Sequence, residues 1–234
     1  MKGTTLTAQV AHYALKRPNA TALRVKRLGI WQSFTWTDYC DEMTACSLVL
    51  SEWGITQGDH VAILSDNRPE WLFADLGIQL LEARSVGIYQ TNPPEDVGYI
   101  LEHAACRVVF AEDQEQVDKL LDENGGANGV EHIVIFDERG TSHYDDPRLI
   151  SWRQFREDGF AHLKHHPDWL NERLAASDPN TPTMVVYTSG TTGKPKGALL
   201  SPANATELNP TLATELGLSD KDQVLSYLPL CHVA

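Results

Sequence analysis

Val61-Ala-Ile-Leu64, Ser85-Val-Gly-Ile-Tyr89, Val108-Val-Phe-Ala111 and His132-Ile-Val-Ile-Phe136 are short apolar runs spread along the middle of the chain. Each is too short for a globular helix, and the segments between them carry helical spacing instead. Pro69, at a helix-opening position, precedes Trp71, Leu72, Leu76 and Leu80. Glu95 to His103 and Gln114 to Glu123 read as two further helices. Strands that are apolar throughout, alternating with helices, belong to a parallel sheet covered on both faces. The expected fold class is therefore α/β, a layered, parallel-rich sheet with helices on both faces.

Working outward, Leu23 to Trp36 alternates on either side of Gly29 and predicts a β-hairpin. Tyr39, Met43, Cys46, Leu50 and Trp53 follow at helical spacing, with Thr37 and Asp38 as the expected start and Gly54 as the stop. Trp31 and Trp36 read as packing residues of the hairpin rather than a ligand platform. Residues 137–180 are less regular; Asp145-Asp-Pro147 and Ser177-Asp-Pro-Asn-Thr-Pro182 are turn-rich, with short helices expected between them. Met184-Val-Val-Tyr187 then predicts a strand.

The 234 residues carry 32 acidic and 19 basic side chains, a net charge of −13. Such a surface is a poor general partner for nucleic acid or anionic lipid, so any polyanion site must be built locally. Cys40, Cys46, Cys106 and Cys231 are scattered, which argues against a zinc or disulfide framework and for a reducing cytoplasm. The amino terminus lacks a signal-peptide pattern, and no apolar run is long enough to span a bilayer, which leaves only peripheral membrane contact open.

That local polyanion site is expected directly after the strand at Met184. Tyr187-Thr-Ser-Gly-Thr-Thr-Gly-Lys-Pro-Lys-Gly197 combines the hydroxyls of Thr188, Ser189, Thr191 and Thr192 with Gly190, Gly193, Lys194 and Lys196. Glycines permit close backbone approach, and a run of amides, hydroxyls and ammonium groups suits phosphate oxygens. By composition alone the same residues would make a flexible surface turn, and it is their order that favours a phosphate site. A Walker A loop does not fit. Gly190 and Gly193 are too close together, and Pro195 stands where the magnesium-binding hydroxyl should be. Ala198-Leu-Leu200 reads as a returning strand, and Ser201-Pro202 as the start of a later helix.

The order Thr-Ser-Gly-Thr-Thr-Gly-x-Pro-Lys-Gly resembles the phosphate loop of the adenylate-forming superfamily, which includes the AMP-forming acyl-CoA synthetases. Leu228-Pro-Leu-Cys-His-Val-Ala234 resembles that family's histidine-bearing motif, and Gly87-Ile-Tyr-Gln-Thr-Asn-Pro-Pro-Glu-Asp-Val97 its earlier strand–turn–helix segment. Both look most like the long-chain fatty acyl-CoA ligase branch. Pro202 departs from the histidine that many relatives carry there.

The resemblance implies a two-step reaction: a carboxylic acid and ATP give an acyl-adenylate, which coenzyme A thiol converts to a thioester. Thr188, Ser189, Gly190, Thr191, Thr192, Gly193, Lys194 and Lys196 would hold the ATP phosphates. Thr191 and Lys196 are the catalytic candidates, Thr191 holding the departing β- and γ-phosphates and Lys196 neutralising their charge or positioning the loop, with Lys196 weighted above Lys194, whose position varies in the family. Magnesium would bridge the phosphates, and His232 would lie beside the acyl site. The family's adenine and ribose motifs and its mobile carboxyl-terminal domain do not appear in these residues. Residues 1–234 therefore read as a partial amino-terminal adenylation domain, a piece of a longer chain that is expected to be inactive alone. Its apolar end is a candidate for self-association. A stand-alone nucleotide-binding or scaffolding module, or an adenylating enzyme with another acceptor such as a carrier protein, are the alternatives.

Other candidates are weaker. His162, His165 and His166 read as solvated residues of an irregular segment rather than zinc ligands. Glu112/Asp113 and Asp145/Asp146 read as solvated charge.

Overall fold

The computed structural model describes residues 4–123, 126–188, 193–219 and 221–232. Its centre is a seven-stranded sheet, preceded by a helix and a separate two-stranded hairpin. Helix α1 (Leu6–Lys16) leads into the hairpin of β1 (Thr21–Arg27) and β2 (Ile30–Thr35), and α2 (Trp36–Glu52) follows. The sheet then accumulates by alternation: β3 (His60–Leu64), α3 (Pro69–Leu80), β4 (Arg84–Ile88), α4 (Pro94–Ala104), β5 (Val108–Ala111), α5 (Gln114–Leu121) and β6 (His132–Ile135). After β7 (Leu149–Ser151) come α6 (Trp152–His165) and α7 (Trp169–Ala176), then β8 (Met184–Thr188), β9 (Lys196–Leu200) and α8 (Pro202–Glu215).

Strand order is β7-β6-β5-β3-β4-β8-β9, and every neighbouring pair is parallel except β8 with β9. The apolar runs of the sequence are the inner strands. Val61, Ala62, Ile63 and Leu64 of β3 are all 0% exposed. Because a strand's side chains alternate, the four divide between two cores. Ala62 and Leu64 meet Val97, Ile100 and Leu101 of α4 and Val117 of α5. Val61 and Ile63 meet Val49 and Leu50 of α2, Ile78 of α3 and Phe155 of α6 on the opposite face. The hairpin sits outside this sandwich, docked by Leu23 and Phe34 on a third cluster with Phe73 and Met43.

Three local expectations are corrected. Helix α2 starts one residue before Thr37. Thr35 is its cap and forms a reciprocal capping box with Asp38, so Asp38 serves inside the first turn instead of opening the helix. In the irregular stretch, α6 is not short. It runs through His162 and His165, Gly159 lies against the Ala45 backbone of α2, and His166 is its carboxyl-terminal cap. Glu112 is also more than solvated charge: its carboxylate accepts the Asp66 backbone N–H at 2.7 Å.

A polar network lies within the packing of α3 on β4 and β8. Asp75 accepts from the Ser85 hydroxyl at 2.5 Å and from Gln79 Nε2 at 2.9 Å, and Thr183 donates to Gln79 Oε1 at 3.3 Å. Burial pushes the Asp75 carboxyl up to about 6, against the opposing pull of the Ser85 and Gln79 bonds. Between about 4, the ordinary carboxylate value, and that raised value, the folded chain keeps a proton that the unfolded chain has lost. This contribution to stability is therefore full at low pH, falls as pH rises through that window, and stays low above it. Asp75→Asn should remove the fall, on the order of 2–3 kcal/mol, in the difference between urea-unfolding curves of variant and parent from pH 4 to 8. Parallel pH profiles for the two proteins would refute this account.

Candidate functional site

In a parallel sheet the connections leaving the carboxyl ends of the strands converge on one edge, where open α/β folds place their ligands. Three stretches singled out by sequence gather there. Tyr89 to Pro94 leaves β4, Thr188 leaves β8, and residues 226–232 cross the ends of β3 and β4.

The crossing segment is held by one side chain. Asn67, just beyond β3, donates through Nδ2 to the carbonyls of Ser226 (3.2 Å) and Leu228 (2.7 Å), and its Oδ1 accepts from the Leu230 N–H (2.9 Å). Gly87 of β4 makes the seat, since a Cβ there would stand 2.7 Å from Cys231 Cα. Cys231 is consequently buried, and burial pushes its thiol up to about 11. His232 ends the tight turn, its N–H bonding the Pro229 carbonyl at 3.0 Å, with its residue exposed at the edge.

Thr188 and Lys196 are cross-strand partners in the β8–β9 ladder, so both ends of the glycine-rich loop are pinned to the same rung. Both residues are exposed, as are Gly193 and Lys194. Ser189, Gly190, Thr191 and Thr192 lie outside the described residues. Gly197 is needed where it stands, since a Cβ would approach Val185 Cγ1 at 2.9 Å and the Tyr187 ring at 3.4 Å. The two lysines have different surroundings. Lys194 Nζ stands 4.5 Å from the centroid of the Tyr99 ring, whereas Lys196 begins β9 with its side chain in solvent.

Sequence reasoning passed over the support beneath this loop. Tyr99 donates its hydroxyl to the Pro195 carbonyl at 3.1 Å, and His103 Nδ1 lies 2.7 Å from the Tyr187 hydroxyl. Tyr99 and His103 are four residues apart on α4, hence on one face, and each reaches one flank of the loop. The available signal was that spacing on a helix predicted to follow Pro94. Burial pushes the Tyr187 phenol up to about 12, so it is a neutral hydrogen-bonding group across the ordinary range.

The model of the family described as AMP-binding enzyme matches residues 10–234. The chain belongs to the AMP-binding enzyme family. Within it, the rat long-chain-fatty-acid–CoA ligase ACSBG2 is 33% identical over 219 residues, 91% of this chain and 32% of that protein. The Mycobacterium tuberculosis long-chain-fatty-acid–CoA ligase FadD15 is 30% identical over 88% of this chain and 33% of its own length. The chain thus spans about a third of the length of those relatives. Two solved structures share its fold. The anthranilate CoA ligase AuaEII, in complex with anthranoyl-AMP, aligns with TM-score 0.68 at 23% identity over 92% of this chain and 37% of that one. A Brucella canis acyl-CoA synthetase aligns at 0.71 and 17% over 94% and 37%.

The His103–Tyr187 bond gives a direct test of the loop's support. His103→Leu should destabilise the chain by about 1–3 kcal/mol by leaving a half-buried phenol without its partner. Adding Tyr187→Phe should recover part of that loss in urea unfolding. A double-variant loss equal to the sum of the losses in His103→Leu and Tyr187→Phe alone would show that the bond carries no energy.

Proposed function

We propose that this chain is the amino-terminal part of an AMP-forming ligase that activates a long-chain fatty acid with ATP and passes the acyl group to coenzyme A. The observation that carries the reading is the residue order of 188–197, whose flanks Thr188 and Lys196 pair across β8 and β9 at the carboxyl edge of the sheet. The long-chain ligases among its relatives support the acyl specificity, and four buried free cysteines fit a reducing cytoplasm.

In this reading the fatty-acid carboxylate attacks the α-phosphorus of ATP, and the bond to the β-phosphate oxygen breaks to release pyrophosphate. The coenzyme A thiol then attacks the acyl carbonyl and AMP leaves. Negative charge grows on the departing pyrophosphate in the first step, where preorganised donors lower the barrier most. Thr188, Ser189, Thr191 and Thr192 would supply hydroxyls, Gly190 and Gly193 close-approaching amides, and Lys196 a cation free to turn toward the phosphates. Lys194, engaged with Tyr99, has the smaller part. Loop donors of this kind are phosphate ligands rather than metal ligands, so magnesium fits as a companion of the triphosphate. His232 would border the acyl site.

In the intact ligase carrying this chain, Thr191→Ala or Lys196→Ala should slow ATP–pyrophosphate exchange by about a hundredfold with unchanged unfolding midpoints. Parent-like exchange in both variants would remove the loop from the reaction. The chain by itself should bind ATP–magnesium weakly or not at all in calorimetry, because the adenine and ribose contacts expected of the family are not among its motifs. Micromolar binding would favour the alternative of a stand-alone nucleotide-binding module.

A further inference from the structure

The tip of the β1–β2 hairpin breaks local rules in several ways at once. Arg27 pairs with Ile30, so Leu28-Gly29 is a two-residue connection, and φ is positive at both residues, +49° and +82°. Positive φ at both positions is the pattern of a type I′ turn, whose favoured sequence is Asn-Gly. A leucine in that place is strained and gains nothing from packing, because Leu28 is 99% exposed. Ile30 and Trp31 beside it are 70% and 59% exposed, which overturns the expectation that Trp31 is a packing residue; Trp36, in contrast, stacks with Tyr39.

The hairpin's own sequence is opposite in charge to the whole chain, with Glu70 and Asp222 the carboxylates beside it. Residues 17–37 contain Arg17, Arg24, Lys26 and Arg27 and no carboxylate, in a protein of net charge −13. Arg27 is committed to Glu70. Arg24 donates only to the neutral Gln223, and Lys26 stands 6.0 Å from the Trp31 ring; among the described residues neither is in an ion pair. The register sets Lys26 opposite Trp31 and Arg24 opposite Ser33, so both cations and the indole share one face of the hairpin. Apolar side chains at a projecting tip, an indole beside them and cations a few ångströms back match the layers of a lipid interface: acyl chains, carbonyl belt and anionic headgroups.

We propose that this hairpin is a membrane-docking element that inserts Leu28 and Ile30 into an anionic lipid surface, with Trp31 at the interface and Arg24 and Lys26 on the headgroups. The locally cationic tip would then reverse, at one point, the poor match of the whole chain to acidic lipid. The inference uses none of the loop residues, so its failure leaves the proposed ligase reading untouched, and the converse holds too.

The test is co-sedimentation of the full chain with phosphatidylcholine vesicles, with and without phosphatidylserine. The parent should bind the anionic vesicles, more weakly as salt rises, and the neutral ones much less. Leu28→Asn restores the preferred turn and so should fold at least as stably, yet Leu28→Asn with Ile30→Thr should lower partitioning about tenfold to a hundredfold. Lys26→Gln should lower it about fivefold on anionic vesicles alone. Equal binding of parent and tip variants, equal binding to both lipids, or no binding by the parent would overturn the proposal. So would a parent that forms dimers in size exclusion which the tip variant does not, since the tip would then be covered by a second copy.

Discussion

A strand buried on both faces has no side chain left for chemistry, and in this chain that constraint governs where everything else can be. β3 gives all of Val61 to Leu64 to the two cores, and β4 and β5 are nearly as completely used. Reactive groups can stand only where the strands end. With β3, β4, β5, β6, β7 and β8 pointing the same way, they end on one edge. The glycine-rich loop, the turn after β4 and the histidine-bearing segment are far apart in sequence, yet parallel pairing brings their points of departure together. The antiparallel strand at the sheet's edge, β9, is what returns the chain to the rung from which it left.

The layering was legible because hydrophobic burial on two faces writes an uninterrupted apolar run, which no helix of that length would need. Helix starts were less legible. Thr35, Thr37 and Asp38 are all cap-type residues within one turn, and only the reciprocal bonding between Thr35 and Asp38 selects the first. β7 was invisible: Leu149-Ile-Ser151 is three residues long, half-buried, and ordered by its pairing with β6 rather than by any pattern of its own. α1 likewise leaves most of its surface outside the core, with buried Thr7, Val10 and Ala11 too sparse to mark an apolar stripe.

For the proposed site, the loop was singled out by sequence order alone, because phosphate-gripping loops use the backbone and therefore need particular residues in a particular order. The support beneath it left no such trace. Asn67 holds the segment around Leu228 through contacts to backbone atoms more than 150 positions away, and any residue types could supply those carbonyls and that amide. Tyr99 likewise reaches a carbonyl, that of Pro195. Side chain to backbone bonds of this kind constrain only one of the two sequences involved, so reading along the chain finds neither partner.

The two lysines of the loop show how geometry divides what composition treats as equal. Lys194 and Lys196 carry the same charge and are two residues apart, yet the first is drawn over an aromatic face and the second opens a strand. A cation held 4.5 Å from the Tyr99 ring has part of its attraction already satisfied, so a phosphate must compete with the ring for it. A cation at the start of β9 is fixed through its backbone, which the ladder to Thr188 holds in place, while its exposed side chain has no ion pair among the described residues. Placement on a rigid rung with a free side chain keeps the cost of turning toward an incoming polyanion low. In a chain of net charge −13, a cation with no carboxylate paired to it among the described residues keeps its local field undiminished. At the hairpin, Arg24 and Lys26 are likewise in no ion pair among the described residues, whereas carboxylates occupy Arg27, Arg68 and Arg107.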